Sequence, residues 1–265
     1  MQIKLVKCKT ALSASKLPGL DYSLNPYKGC QHKCTYCYVP NILRVKRENW
    51  GEFVEIKSNI PNILAEELKR KKPGVVALST VTDPYQPIEK KYKLSRYCLE
   101  QLLKSDFPVS IQTKSDLILR DIDLIQKLSD VEVIFSIGTL KEGQRKILEP
   151  NASKIQNRLQ ALKNISDLGI KTMVFFGPIY PTIKKENVID IISTFQDFGA
   201  ERIMIDRFNL KQGIKENLKQ KISENNSLTS TFNKRIFQDS SYYNEIREEI
   251  MKVGKQKKIP IFDAF

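Results

Sequence analysis

Cys30, Cys34 and Cys37 fall on one short run, Asn25-Pro-Tyr-Lys-Gly-Cys-Gln-His-Lys-Cys-Thr-Tyr-Cys-Tyr38, with the spacing C-x3-C-x2-C. Three thiolates so close together demand a metal centre or a tight staple, and the rest of the chain must fold around whichever it is. A four-iron cluster held by three cysteines keeps one iron without a protein ligand, open to a small molecule. Zinc is the alternative, because Cys30, His32, Cys34 and Cys37 make a Cys3His set. The usual zinc pattern is two separated ligand pairs; this chain offers no second pair, and His32 is its only histidine. A disulfide fits worse: the chain has 5 cysteines, an odd count, and Cys8 and Cys98 stand alone.

A chain of 265 residues is long enough to bury a core without staples. Its 41% hydrophobic content is that of a globular protein. No stretch approaches the ~18 apolar residues that a membrane span requires. Met1–Cys8 has no apolar segment leading to a small-residue cleavage site, so no secretion signal is expected. Free thiols and an oxygen-sensitive cluster predict a cytoplasmic protein with no membrane partner. The formal charge of +14 has two readings. A basic surface attracts nucleic-acid phosphates. A lysine-biased composition gives the same charge with no such partner, and here lysine is spread along the chain with no arginine-rich stripe.

Beyond the cysteines, short apolar runs alternate with amphipathic stretches. Strands are expected at Leu20–Asn25, Val75–Thr80, Val109–Thr113, Val131–Ile137, Lys171–Phe176 and Arg202–Asp206, since near-continuous apolar runs fit strands covered on both faces. Between them the helical period predicts five buried stripes. They are Ile60/Leu64/Leu68 after a cap at Ser58 or Asn59, Leu94/Cys98/Leu102, Ile155/Leu159/Leu162/Leu168 ending at Gly169, Val188/Ile191/Ile192/Phe195/Phe198 ending at Gly199, and Tyr243/Ile246/Ile250/Val253 ending at Gly254. Cys98 reads as a small core hydrophobe. Strand–helix alternation at roughly thirty residues per unit implies parallel βαβ units with right-handed crossovers. The fold class is therefore α/β: a partial (β/α)6 TIM-like barrel, with a core of about residues 20–210 and a helical C-terminal extension of about 210–265, in a single domain 1–265. Within the extension, Asn209–Arg235 is polar and reads as irregular, with 224–231 mobile.

In parallel barrels, chemistry gathers at the C-terminal ends of the strands. The expected tips are Ser79–Pro87, Gln112–Ser115, Ser136–Thr139, Gly177–Pro181 and Asp206–Asn209. They are rich in hydroxyls, with one lysine and an Asp–Arg pair. That composition suits a polar ligand bearing a carboxylate and a ribose; ordinary loop and capping chemistry would look the same at any single position.

The cysteine run with Tyr36 before its last cysteine, together with Ser79–Pro87, Gln112–Asp121 and Leu148-Glu149-Pro150 through Arg158 to Gly169, resembles the radical S-adenosylmethionine (radical SAM) enzymes, and among them the spore photoproduct lyase-like branch. The resemblance covers most of residues 20–210. It implies that Cys30, Cys34 and Cys37 ligate a 4Fe–4S cluster and that SAM chelates the open iron. By position it places Tyr36 beside cluster and adenosine, Thr80 and Thr82 at the methionine amino group, and Lys114 and Ser136 at the carboxylate or ribose. Residues around Pro178 and Phe208 border the adenine. The glycine-rich form of the strand-two motif is missing here. The implied activity is reductive cleavage of SAM to a 5′-deoxyadenosyl radical that abstracts hydrogen from a substrate, with electrons from a flavodoxin- or ferredoxin-type protein. Spore photoproduct lyase itself returns hydrogen to its product radical from a cysteine near the strand-two tip. Ser79–Asp83 contains none, so photoproduct repair is not expected. Two other readings remain: a non-catalytic zinc or iron–sulfur protein that binds nucleic acid, and an iron–sulfur electron carrier taking Cys8, Cys98 or His32 as fourth ligand.

Overall fold

The apolar runs do become strands, and each finds its neighbour in the order that parallel crossovers require. The computed structural model describes residues 1–238 and 241–264. The strands are β1 (Gln2–Val6), β2 (Leu12–Ala14), β3 (Tyr22–Leu24), β4 (Tyr27–Lys28), β5 (Phe53–Lys57), β6 (Val76–Leu78), β7 (Val109–Thr113), β8 (Val131–Ser136), β9 (Lys171–Phe176), β10 (Arg202–Ile205) and β11 (Ile261–Asp263). The main sheet runs β11-β10-β9-β8-β7-β6-β3-β2. Every neighbouring pair in it is parallel except β2 with β3. This is the expected partial barrel of parallel strands, with helices after the cysteine loop and at the C-terminal end. The face of the sheet that packs against the helices carries Val76, Leu78, Ile111, Val133, Phe135, Val174 and Ile203, all buried.

The sheet has a strand that the sequence pattern hid. β11 is only three residues long and pairs with β10 in parallel register, Ile203 against Ile261. It returns from the helix Ser241–Lys257, so the C-terminal extension supplies one more strand–helix unit. Gly254 does not end that helix but lies inside it; a methyl group there would stand 2.6 Å from the Ile261 side chain, so glycine permits the helix to lie against β11. Asn209–Arg235 also differs from expectation. It folds into helices Ile214–Ile222 and Asn226–Phe232, because Ile214, Leu218, Ile222, Leu228 and Phe232 form a thin apolar seam under a polar surface. Asn225 caps the second helix, accepting from the Leu228 N–H at 2.9 Å.

Three shorter corrections concern the predicted helices. Leu168 lies beyond the helix Ile155–Ser166 and is 50% exposed. Phe198 likewise follows the end of helix Lys185–Asp197. Asn59 does precede helix Ile60–Leu68, but its side chain is turned away, clasping the Cys8 backbone through N–H (2.8 Å) and C=O (2.9 Å). β1, also absent from the sequence reading, pairs in parallel with β5, and β4 pairs antiparallel with β5's other edge. This small sheet, in the order β1-β5-β4, leads directly into the cysteine loop. Among the described residues no helix is long and apolar enough to cross a membrane.

Cys98 is fully buried on the helix Leu94–Leu102, among core side chains. Cys98→Ser should therefore lower the urea-derived unfolding free energy by about 1–3 kcal/mol, the cost of burying a hydroxyl. Cys98→Ala should leave iron content after reconstitution unchanged, measured per chain by metal analysis.

Candidate active site

The cysteine loop leaves β4 at Gly29, whose φ of +91° and contact with the Phe53 carbonyl exclude a side chain. From there the loop is irregular backbone, and the strand tips hold it group by group. The Gly29 carbonyl accepts from Thr82 Oγ1 (2.7 Å) and Gln86 Nε2 (3.2 Å). The Gln31 N–H donates to Gln86 Oε1 at 2.8 Å. The Thr35 N–H donates to the Leu148 carbonyl at 2.9 Å, and the Thr35 carbonyl accepts from Asn217 Nδ2 at 2.5 Å. Arg47 Nη1 donates to the Cys37 carbonyl at 2.7 Å.

Cys30 and Cys34 are buried, Cys37 is half-buried, and all are free thiols. Burial first, then the charges of Asp83 and Cys37, push the Cys30 thiol up to about 12. Burial and Cys34 do the same to Cys37, also to about 12, and burial raises Cys34 strongly. The protons these sulfurs hold must leave when a metal centre binds. The backbone around His32 and Asp83 offsets part of that rise at Cys30, as the backbone at Val39 does at Cys37. Three buried or half-buried free thiols on one loop fit the ligands of an iron–sulfur cluster. Among the described residues no three His, Cys, Asp or Glu side chains close into a cage for a single metal ion. His32 is 2% exposed, and its Nδ1 stands 3.3 Å from Asp83 Oδ2.

Around the loop lies a set of buried charges. The Tyr36 hydroxyl donates to Glu149 Oε1, and Glu149 Oε2 lies 2.5 Å from Arg158 Nη2. Arg158 is fully buried and donates to the Ser153 carbonyl (2.9 Å) and the Ser136 carbonyl (2.8 Å). Burial opposes ionisation of Glu149, but Arg158 and Lys114 outweigh it and hold the carboxyl below its ordinary range. Asp83 is held lower still, at about 2: burial is overcome by His32 and by hydrogen bonds from Thr113 and the Lys114 N–H. Lys114 itself is pulled down by burial and pushed up more by Cys34 and Glu149, so it stays above the usual lysine value. No hydrogen bond or ion pair to Lys114 Nζ is formed within the described residues.

The structure gathers most of the residues singled out from the sequence. Tyr36 packs edge-on against Tyr180 and Phe208, with ring centroids 6.4 and 5.7 Å away. Lys114 follows the tip of β7. Ser136 ends β8, its hydroxyl accepting from Gln112 Nε2 at 3.0 Å. Thr80 and Thr82 follow β6 but are engaged within the protein. The Thr80 hydroxyl accepts from Asn25 Nδ2 at 3.3 Å. Thr82 donates to Gly29 and accepts from Gln86 Nε2 at 2.9 Å, leaving it little to offer a ligand. The neighbouring Ser79 hydroxyl is buried and has no hydrogen-bond partner among the described residues. Ser79, Asp83, Glu149 and Arg158 were not singled out as site residues, although all lie in the stretches that carry the resemblance.

The sequence model of the Radical SAM superfamily matches residues 24–195, from β3 through the cysteine loop to the helix before β10. The chain is 34% identical over 256 residues to the uncharacterized protein MJ0683 of Methanocaldococcus jannaschii, covering 95% of this chain and 94% of that one. It is 26% identical over 176 residues to the spore photoproduct lyase of Clostridium acetobutylicum, covering 64% of this chain and 50% of that enzyme. Its fold superposes on a spore photoproduct lyase variant solved with bound AdoMet and dinucleoside spore photoproduct, with a TM-score of 0.76 at 14% identity over 99% of this chain and 82% of that one. An enzyme family thus stands where the alternatives had a non-catalytic zinc module or a simple electron carrier. The chain belongs to the radical SAM superfamily, shares its fold with spore photoproduct lyase, and is an enzyme whose cofactors are a 4Fe–4S cluster and SAM.

Proposed function

We propose that Cys30, Cys34 and Cys37 ligate the cluster, that Lys114, Ser79 and Ser136 hold SAM against it, and that the substrate is a nucleic acid lying across the barrel mouth. The observation that carries the first part is the pairing of three free thiols with one half-buried cation, Lys114, that has no partner among the described residues. When bound, the cluster supplies the electron that cleaves SAM to a 5′-deoxyadenosyl radical, which takes hydrogen from the substrate. The protein's part is placement. The Lys114 ammonium is free to bind the SAM carboxylate by charge-assisted hydrogen bonds. Ser136 accepts from Gln112 and keeps its own proton to donate to the ribose. The unpartnered Ser79 hydroxyl is a better candidate for the methionine amino group than Thr82, whose bonds are spent on the loop; Thr80 stands beside it. Tyr36, fixed by Glu149 and flanked by Tyr180 and Phe208, borders the adenosine. Fixing the two reactants in one geometry removes an entropic barrier that is large in solution. The reading requires a reductant of flavodoxin or ferredoxin type.

The nucleic-acid reading is supported by charge near the site. Helix Ile214–Ile222 reaches the cysteine loop through Asn217, and its outer face carries Lys215 and Lys219. Both ammonium groups lie over the half-buried ring of Phe237, at 5.5 and 5.4 Å. Cations interleaved with an aromatic ring suit a strand that offers phosphates and bases. The solved spore photoproduct lyase that this fold resembles holds a dinucleoside photoproduct.

Three measurements test these assignments. Anaerobically reconstituted protein, reduced in the presence of SAM, should release 5′-deoxyadenosine and methionine; cluster-loaded protein that never does so sinks the reading. Lys114→Ala should weaken SAM binding about 10-fold or more while iron and sulfide content stay at the wild-type level. DNA or RNA affinity should fall steeply with salt, and the double variant Lys215→Ala/Lys219→Ala should lower the log–log salt slope by about 2; an unchanged slope removes helix Ile214–Ile222 from the interface.

A further inference from the structure

Cys30 and Lys114 come from segments far apart in the sequence, yet a cluster ligand and a SAM-binding amine must keep a fixed spacing for the cofactor to seat. One side chain touches both of their segments. It belongs to Asp83, in the β6 tip. Its Oδ2 accepts the Lys114 N–H at 2.8 Å and lies 3.3 Å from Nδ1 of His32, two residues after Cys30. Its Oδ1 accepts from Thr113 Oγ1 at 2.7 Å and from the Tyr85 N–H at 2.9 Å. A simple Asx turn would need only the Tyr85 contact. The other contacts leave the local loop: hydrogen bonds reach the end of β7 on one side, and the close approach of His32 Nδ1 meets the cysteine loop on the other. Asp83 is 7% exposed, so water does not compete for these bonds.

We propose that Asp83 is a positioning residue that sets where Lys114 stands relative to Cys30, and so tunes how SAM seats on the cluster. Thr113 serves it by fixing the carboxylate's orientation. The inference rests on the proposed roles of Cys30 and Lys114. It assigns Asp83 no contact with SAM and no part in the chemistry.

The test is a double-mutant cycle read by the change that SAM produces in the EPR spectrum of the reduced cluster. Asp83→Asn keeps the side chain's size. It should load iron normally, show the wild-type EPR signal without SAM, and need about tenfold more SAM for half the spectral change. Because Asp83 acts through Lys114, adding Asp83→Asn to Lys114→Ala should weaken SAM binding little beyond Lys114→Ala alone. Additive losses overturn the proposal, as does wild-type SAM affinity in Asp83→Asn. Should Asp83→Asn fail to retain iron, Thr113→Val takes its place in the same cycle: a several-fold loss that vanishes in the Lys114→Ala background supports the proposal, and no loss overturns it. If wild-type protein itself shows no SAM-induced change, the proposed function has failed; if it responds and the cycle is additive, only the role of Asp83 has.

Discussion

Irregular backbone buried at the centre of a protein must find hydrogen-bond partners outside itself, and the cysteine loop is such a backbone. Nearly everything polar around it answers that demand. Thr82 and Gln86 take the carbonyl of Gly29, Leu148 offers its carbonyl to Thr35, and Arg47 and Asn217 reach in from elements on either side. The same demand explains why strand-tip hydroxyls that resemble ligand contacts in the sequence divide into two kinds. Thr82 is consumed by the loop. Ser79, one turn of backbone away, is left over.

The buried charges obey a similar economy. Isolated ions do not survive in a core, and here each carboxylate has its cation or its ring of donors. Glu149 has Arg158 and Tyr36; Asp83 has His32, Thr113 and two backbone N–H groups. Arg158 also binds the carbonyl that ends β8, so the ion pair ties the helix Ile155–Ser166 to the sheet and the cysteine loop at once. Lys114 differs: half-buried in a negative neighbourhood, its ammonium has no direct partner among the described residues, and the proposed SAM contact rests on that.

Much of this was legible in the sequence because the parallel strands carry short apolar runs. Lys171–Phe176 is apolar on both faces and Val109–Thr113 on alternate residues, and both stand out without tertiary information. The spacing of Cys30, Cys34 and Cys37 was equally plain. What the sequence hid shares a physical cause: elements whose signal is too short or too diluted to stand above their surroundings. β11 has three residues and owes its existence to an open sheet edge on β10. The seam Ile214–Phe232 is one apolar residue in four, lost among Lys and Asn. Gly254 carried the mark of a helix end while serving a close approach. The roles of Asp83 and Glu149 could not be read at all, since acidic residues in loops are common and only their burial distinguishes them.

The helices Ile214–Ile222 and Asn226–Phe232 lie over Tyr36 and Thr35, yet they are made long after the cysteines. During synthesis from the N-terminus, the cysteine loop and strands through β9 leave the ribosome while its cover does not yet exist. The surroundings of the cysteine loop are therefore complete only once residues 214–232 have docked, and a chain cut before residue 214 would leave Tyr36 and the Thr35 carbonyl without their cover.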